Sequence, residues 1–226
     1  MSIALVTGGN RGIGRAIVEV LEAAGHDVIY TYHMRRDGGG RQLDIGKPEE
    51  VQQFLKTIPP PVILVNNAAM TQEKPFLEIT DEEWGHMLSV NLLGAVTLCR
   101  VVIPHMIKNG WGRIVNVASI GGQWGGTNQV HYAASKAALI NFTQSLARLY
   151  SRFGITVNAI APGLVRTDMS GPELETEAGA MKAASIPVGC VAEPRDVAYW
   201  VEVLVSSRAG YMTGQTLNVN GGMYFG

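Results

Sequence analysis

Short apolar runs alternate along the chain with longer stretches whose apolar residues recur every three to four positions. The short runs, Ser2-Ile3-Ala4-Leu5-Val6 first among them, fit strands buried on both faces, and the longer stretches fit helices with one apolar side. Strands are predicted over 2–7, 27–32, 41–44, 62–66, 113–118, 155–160 and 215–219. Helices are predicted over 12–24, 47–57, 80–109, 130–153 and 193–206. Strands joined through helices pair in parallel by right-handed crossovers, so the fold class is α/β, a doubly wound sheet in one domain spanning residues 1–226. One connection breaks the rhythm. Between strands two and three only His33-Met34-Arg35-Arg36-Asp37-Gly38-Gly39-Gly40 remains, too short for a crossover helix. Eight extended residues reach about 27 Å, enough to return beside a short strand. The sheet face there is expected to be poorly covered.

A chain of 226 residues that is 46% hydrophobic and 16% charged has the make-up of a globular domain with a substantial core. Its formal net charge of −1 provides no global attraction to nucleic acid or to an anionic membrane, and neither partner is expected. The first strand starts at residue 2, leaving no room for a signal peptide, and no uninterrupted apolar stretch looks long enough to span a bilayer. A cytoplasmic protein is the expectation. Cys99 and Cys190 are isolated and lack metal-ligand spacing, so both are read as packing residues and no metal is expected.

Two local patterns carry chemistry. Thr7-Gly8-Gly9-Asn10-Arg11-Gly12-Ile13-Gly14 stands between the first strand and first helix. There, glycines admit close backbone approach, and a helix N-terminus offers N–H groups and positive dipole to a pyrophosphate. The spacing, G-x-x-x-G-x-G from Gly8 to Gly14, also suits a tight turn that binds nothing. Tyr132 and Lys136, in HYAASKAAL, are four residues apart and share one helix face. A cation beside a phenol favours the phenolate and brings its titration toward working pH. An ordinary amphipathic helix supplies the same pair, and only its company lends it weight.

That company is Asn66-Asn67-Ala68-Ala69, Asn91, Asn116-Val117-Ala118-Ser119, Pro162-Gly163 and the closing Thr213-Gly214-Gln215-Thr216-Leu217-Asn218-Val219-Asn220-Gly221-Gly222. With the glycine turn and Tyr132-x-x-x-Lys136, these residues resemble the short-chain dehydrogenase/reductase family over nearly the whole chain, most like its 3-oxoacyl-(acyl carrier protein) reductase branch. The resemblance implies a single-domain Rossmann fold with a mostly parallel seven-stranded sheet, its helix between strands two and three truncated. It implies a reductase of a small-molecule carbonyl substrate, most like a 3-oxoacyl thioester free as the CoA ester or carried on acyl carrier protein. The catalytic set it implies is Asn91, Ser119, Tyr132 and Lys136. Tyr132 would protonate the developing alkoxide and Ser119 would hold the carbonyl oxygen. Lys136 would lower the tyrosine pKa and bond the nicotinamide ribose, and Asn91 would hold the water that resupplies the proton.

For cofactor binding the resemblance implies Gly8, Asn10, Arg11, Gly12, Ile13 and Gly14 in the turn, then His33, Arg35, Asp44, Ile45, Asn67, Ala68 and Ala69 toward the adenosine. At the nicotinamide end it implies Tyr132, Lys136, Pro162, Gly163, Val165 and Thr167. NAD-using relatives end the second strand with Asp or Glu, whereas this chain has Tyr32 and His33, with Arg11, Arg35 and Arg36 available to a phosphate. NADP is the expected cofactor. Asp44 also fits as a cap for the helix near Lys47, and Asn67 as a turn residue. Gln123, Trp124 and Gln129 are expected in the substrate pocket, with 164–186 as its cover. Lys108, Arg113, Arg148 and Arg152 are candidates for a basic docking surface for the carrier. The resemblance further implies a homotetramer, with Met223-Tyr224-Phe225 near one interface. Reduction of another small ketone, alcohol or sugar, and a catalytically silent dinucleotide sensor, are the other readings; an extended sugar-nucleotide epimerase or dehydratase needs a larger C-terminal domain than this chain has.

Overall fold

Ile3–Val6 is apolar throughout, and Ala4, Leu5 and Val6 have no exposed surface. This first strand, β1, lies inside the sheet rather than at an edge. The computed structural model describes residues 2–34 and 39–226, without the side chain of Glu173. From β1 the chain passes through α1 (Gly12–Ala23) to β2 (Asp27–Tyr32) and then to β3 (Arg41–Gln42) at one edge. It returns through α2 (Pro48–Lys56) to β4 (Ile63–Asn66) on the other side of β1. Next come α3 (Asp81–Leu88), α4 (Gly94–Asn109), β5 (Gly112–Val117), α5 (Gly121–Trp124), α6 (Val130–Tyr150) and β6 (Ile155–Pro162). α7 (Gly171–Leu174), α8 (Glu177–Ala184), α9 (Pro194–Val205) and β7 (Thr216–Val219) complete the chain. The seven-stranded sheet has order β3-β2-β1-β4-β5-β6-β7, with every pairing parallel. It is a single-domain Rossmann-like α/β fold. Strand order reverses between β1 and β4, and loops leaving the carboxyl ends of these strands diverge to open a crevice.

Both faces are covered. Ile17, Val18 and Leu21 of α1 and Val197, Val201 and Leu204 of α9 pack in one core. Val51 of α2, Leu98 and Val102 of α4 and Leu146 of α6 pack in the other. All seven predicted strands and five predicted helical regions are found, with shifted ends. β3 stops at Gln42 because Asp44 folds into a turn, its carboxylate accepting from the Gly46 N–H at 3.0 Å. The stretch predicted as one helix over 80–109 contains a π-helical segment, Ser89–Leu93, between α3 and α4. Continuous helix from Asp81 to Asn109 is long and apolar enough, by length and composition alone, to cross a membrane, although Asn91 and Arg100 interrupt its apolar run. Half of its most apolar window is buried within this protein, where Leu98, Val102 and Met106 meet the sheet.

One buried ring of β2 packs beside the short β2–β3 connection. Tyr30 is 8% exposed and lies in the α1-side core. A methyl at Gly9 or at Gly40 would run into its side chain, so glycine backbone lies close against the tyrosine at two places. Arg35, Arg36, Asp37 and Gly38 lie outside the described residues.

Candidate active site

The turn after β1 is shaped by glycine geometry. Gly8 and Gly12 have φ of +65° and +53°, a left-handed conformation that side chains disfavour. A methyl at Gly14 would collide with the Gly8 carbonyl, and one at Gly8 would press on Ala68. Arg11 precedes α1 without a side-chain cap bond, so its side chain leaves the helix's first N–H groups uncapped. Thr7 Oγ1 accepts from the N–H groups of Asn67 and Ala68, both at 3.0 Å. Asn67 Nδ2 donates to the carbonyls of Thr7 (2.9 Å) and Gly8 (3.1 Å). The Asn67 amide therefore braces the glycine turn, as its turn-forming reading anticipates, while the residue still lines the cleft. This backbone cradle fits a dinucleotide: small residues, open helix N–H groups and the crevice at the strand-order reversal coincide.

The cleft encloses about 1810 Å³. Its walls include Gly8, Asn10, Arg11, Gly12, Ile13, Gly14, His33, Asp44, Ile45, Asn67, Ala68 and Ala69 on one side, and Ser119, Tyr132, Lys136, Pro162, Gly163, Val165 and Thr167 on the other. Arg35 lies outside the described residues, and Asn91 is not part of the wall. Every other residue expected at the site is thus brought to one cavity. Arg11 faces Asp168 across it, Nη1 to Oδ2 at 3.9 Å. His33 Nε2 lies 3.8 Å from Asp44 Oδ2, and the Lys47 ammonium is equally close to that oxygen.

Ser119 follows β5 and turns back on itself, its Oγ accepting from the Gly121 N–H at 3.1 Å. Lys136 is 2% exposed and donates to the Val117 carbonyl at 2.8 Å. A methyl at Gly122 would strike the Lys136 backbone, so α5 can sit close on α6 only through glycine. The Lys136 ammonium is 5.8 Å from the centre of the Tyr132 ring. Burial holds the Tyr132 hydroxyl above its ordinary value, and the hydrogen bond from Ser119 only partly offsets this. Burial also brings Lys136 down to about 8. In this structure burial is the largest influence on Tyr132, and the hydrogen bond from Ser119 is what opposes it.

Asn91 differs from expectation in its environment. Its Oδ1 accepts from the Met70 N–H at 2.9 Å, and its Nδ2 donates to the Met70 carbonyl (3.0 Å) and Ser135 Oγ (3.1 Å). The side chain is a brace between the loop after β4 and α6. It lies in the π-helical segment, a distortion that breaks the usual i→i−4 ladder and recurs at functional sites.

Sequence reasoning missed the loop Met70-Thr71-Gln72-Glu73 and Met223 near the chain end, which line the wall, as does Lys182 of α8 within the expected cover. Trp124 and Gln129 line it as expected, with Tyr224 edge-on to Trp124 at 6.2 Å, whereas Gln123 does not. The cover, read as a loop, contains α7 and α8. The basic docking surface is overturned. Arg113 is 4% exposed and bonds the Gly112 and Gly154 carbonyls, while Lys108 and Arg148 stand in the last turns of α4 and α6, and Arg152 follows α6. Helices here run opposite to the strands, so these residues sit at the amino edge of the sheet, away from the cleft. Among the described residues no cluster of His, Cys, Asp or Glu could hold a metal.

A family model described as enoyl-(acyl carrier protein) reductase, the short-chain dehydrogenase type, matches residues 8–224. The chain belongs to the short-chain dehydrogenase/reductase family. It is 40% identical to the 3-oxoacyl-[acyl-carrier-protein] reductase FabG of Vibrio cholerae, covering 98% of this chain and 97% of that one. The acetoacetyl-CoA reductase of Rhizobium meliloti is 38% identical, with 99% and 98% covered. Among solved structures, a protein from Beutenbergia cavernae described as an NAD(P)-dependent gluconate 5-dehydrogenase, with NADP bound at low occupancy, superposes with a TM-score of 0.91. It is 35% identical, with 98% of this chain and 96% of that one covered. The family is one of oxidoreductases.

Proposed function

We propose that this protein is an NADP-dependent carbonyl reductase acting on a 3-oxoacyl thioester. The observation that carries the proposal is the meeting of Ser119, Tyr132 and Lys136 with the glycine cradle in one cleft. Bound there, the nicotinamide supplies the hydride. Ser119 Oγ–H holds the substrate oxygen, and the Tyr132 hydroxyl gives its proton to that oxygen as negative charge develops. A raised tyrosine suits this direction, since the phenol is protonated throughout the neutral range. Lys136, with donors to spare beyond the Val117 carbonyl, holds a ribose hydroxyl and steadies the phenolate that remains. Asn91 keeps its place near the proton path through its main chain, its amide being committed to Met70 and Ser135.

Asn10 and Ile13 with Gly8, Gly12 and Gly14 would cradle the pyrophosphate, and Asp44, Ile45, Ala68 and Ala69 the adenosine. Pro162, Gly163, Val165 and Thr167 would flank the nicotinamide. A substrate panel followed by NADPH absorbance tests the reading, with acetoacetyl thioesters, diketones, quinones and keto-sugars run side by side. Preference for thioesters supports it; no turnover of any carbonyl despite tight NADPH binding would favour a silent sensor. With the four candidate docking cations away from the cleft, the CoA or pantetheine ester is expected to serve as well as the carrier-bound one. The likeness to the described gluconate dehydrogenase keeps keto-sugars on the panel as the second reading.

NADPH is expected to exceed NADH in kcat/KM, because His33 rather than an acid follows β2 and Arg11 lines the cleft. Arg11→Ala should narrow the gap, and equal efficiency of the two cofactors in the unaltered enzyme would reject this phosphate site. A homotetramer is also expected. Val96, Ile103, Ile107 and Phe142 line an apolar groove between α4 and α6, and Tyr199, Trp200 and Val203 expose a second apolar face on α9. Phe225, 84% exposed, extends the list of uncovered aromatics. Light scattering at micromolar concentration should give four times the chain mass; a monomer would refute it. The setting proposed is the cytoplasm.

A further inference from the structure

Gln72, on the loop after β4, joins two elements through one amide. Its Nε2 donates to Glu83 Oε1 at 2.7 Å, and its Oε1 lies 2.9 Å from His131 Nε2. Glu83 is the third residue of α3 and is held firmly: Lys74 Nζ donates to its two oxygens at 3.0 and 2.8 Å, and the Thr80 N–H donates at 2.8 Å. The Lys74 bonds, with those from Thr80 and Gln72, bring the Glu83 carboxyl down to about 2, so it accepts and does not donate. The amide of Gln72 must then present N–H to Glu83 and oxygen to His131, and the imidazole must donate from Nε2. The chain of donors runs in one direction, from His131 to Gln72 to Glu83.

His131 is wholly buried, lies edge-on to Trp84 with ring centres 5.8 Å apart, and immediately precedes Tyr132. Its other nitrogen, Nδ1, is buried without a hydrogen-bond partner. Burial of a histidine with one nitrogen unpaired is costly, and the bond to Gln72 is what the ring gains in return. Around it the same loop is fastened again: Asn91 grips Met70 at both its N–H and carbonyl, the Lys74 N–H donates to the Asn128 carbonyl at 2.7 Å, and Gln129 Nε2 donates to Glu73 Oε1 at 2.9 Å. Met70, Gln72 and Glu73 line the cleft that Tyr132 faces.

We infer that His131 is a positioning residue, which through Gln72 and Glu83 sets the first turn of α6, and with it the Tyr132 hydroxyl, against the substrate-side loop. This rests on the proposed role of Tyr132. Its effect should fall on the chemical step, since the glycine cradle lies elsewhere. His131→Leu and Gln72→Met are each expected to lower kcat by about tenfold or more, the scale set by displacing a reacting group by a fraction of an ångström to one ångström. The dissociation constant for NADPH, read by fluorescence, should stay within about twofold, because neither residue belongs to the cradle. His131→Gln, whose amide can donate from a similar reach, should recover most of the loss, and the double variant His131→Leu/Gln72→Met should be no slower than either single. Equal losses in His131→Leu and His131→Gln, additive losses in the double variant, or wild-type kcat in His131→Leu would overturn the inference. A second readout needs no turnover. In protein labelled with ¹⁵N-histidine, the His131 ring should show a protonated Nε2 and a bare Nδ1 at neutral pH, and Gln72→Met should disturb that pattern. The opposite tautomer would overturn the inference even if carbonyl reduction stands. A correct tautomer in a protein that reduces no carbonyl would instead sink the proposed function and, with it, the positioning role.

Discussion

Tyr132→Phe is expected to lower kcat for carbonyl reduction on the order of a hundredfold or more, the usual scale for loss of a general acid, while leaving NADPH binding within about twofold. Ring volume is kept, so the packing of α6 is undisturbed and the Lys136 ammonium retains its approach to the ring face. Ser119 loses one neighbour but keeps the Gly121 N–H on its Oγ. The proton alone is removed. Single-turnover absorbance with pre-bound NADPH isolates the chemical step from product release, and a fluorescence titration of the same sample reads binding. In the unaltered enzyme, reduction should persist through neutral pH, because burial holds the phenol above its ordinary value and the acid form is the active one. Activity should fall only on the alkaline side, and the limb belongs to Tyr132 and Lys136 jointly rather than to either residue. Near-normal turnover in Tyr132→Phe with a substrate the wild type reduces would remove Tyr132 from the mechanism. The tyrosine-lysine pair would then be helix packing.

The parallel sheet and the carboxyl edge that carries the cleft were legible because they depend on simple rules of pattern and connection. Val6 and Val65 end short apolar runs that suit buried strands, and parallel strands with helical crossovers deliver the glycine turn, Asn67 and Ser119 to one edge. What sequence did not reveal depends on contacts between segments. Nothing about Asn91 announces a π-helical segment, and its side chain's partner there, Met70, is twenty-one positions away. Nothing about Tyr30 says that two glycines will lie against it. His131 is beside the most recognisable residue of the chain, yet its partner is Gln72, fifty-nine positions earlier. The basic residues were misplaced for a different reason. Lys108 and Arg148 were judged by charge alone, when their position at helix C-termini already puts them at the edge opposite the cleft.

Lys136 has the more unusual energetics of the pair, and Lys136→Met is expected to make the cofactor-free protein more stable while removing its activity. The ammonium is 2% exposed, donates to a neutral carbonyl of Val117, and has burial as the one cause of its shift to about 8 from an ordinary 10.5. Below pH 8 the folded protein carries a buried cation that the unfolded chain would hydrate, so the full penalty is present there. Between pH 8 and about 10.5 the folded protein sheds this proton while the unfolded chain still holds it, so stability rises with pH through that window and the penalty vanishes above it. The shift corresponds to a penalty of roughly 3 kcal/mol. Methionine fills a similar volume without charge but leaves the Val117 carbonyl unpaired, at a cost of about 1 kcal/mol or more. The net gain at pH 7 should be about 1–2 kcal/mol, or several degrees in Tm for a chain of this size. Denaturant unfolding of the two proteins at pH 7 and pH 10 would measure it, with the gain shrinking at the higher pH. Turnover should be lost and NADPH binding weakened at either pH, because the group that destabilises the empty fold is the one proposed to steady the phenolate and the ribose. A Lys136→Met protein less stable than wild type at pH 7, or a gain that does not change with pH, would mean that the ammonium is compensated in the empty site and that its burial is not what the fold gives up for catalysis.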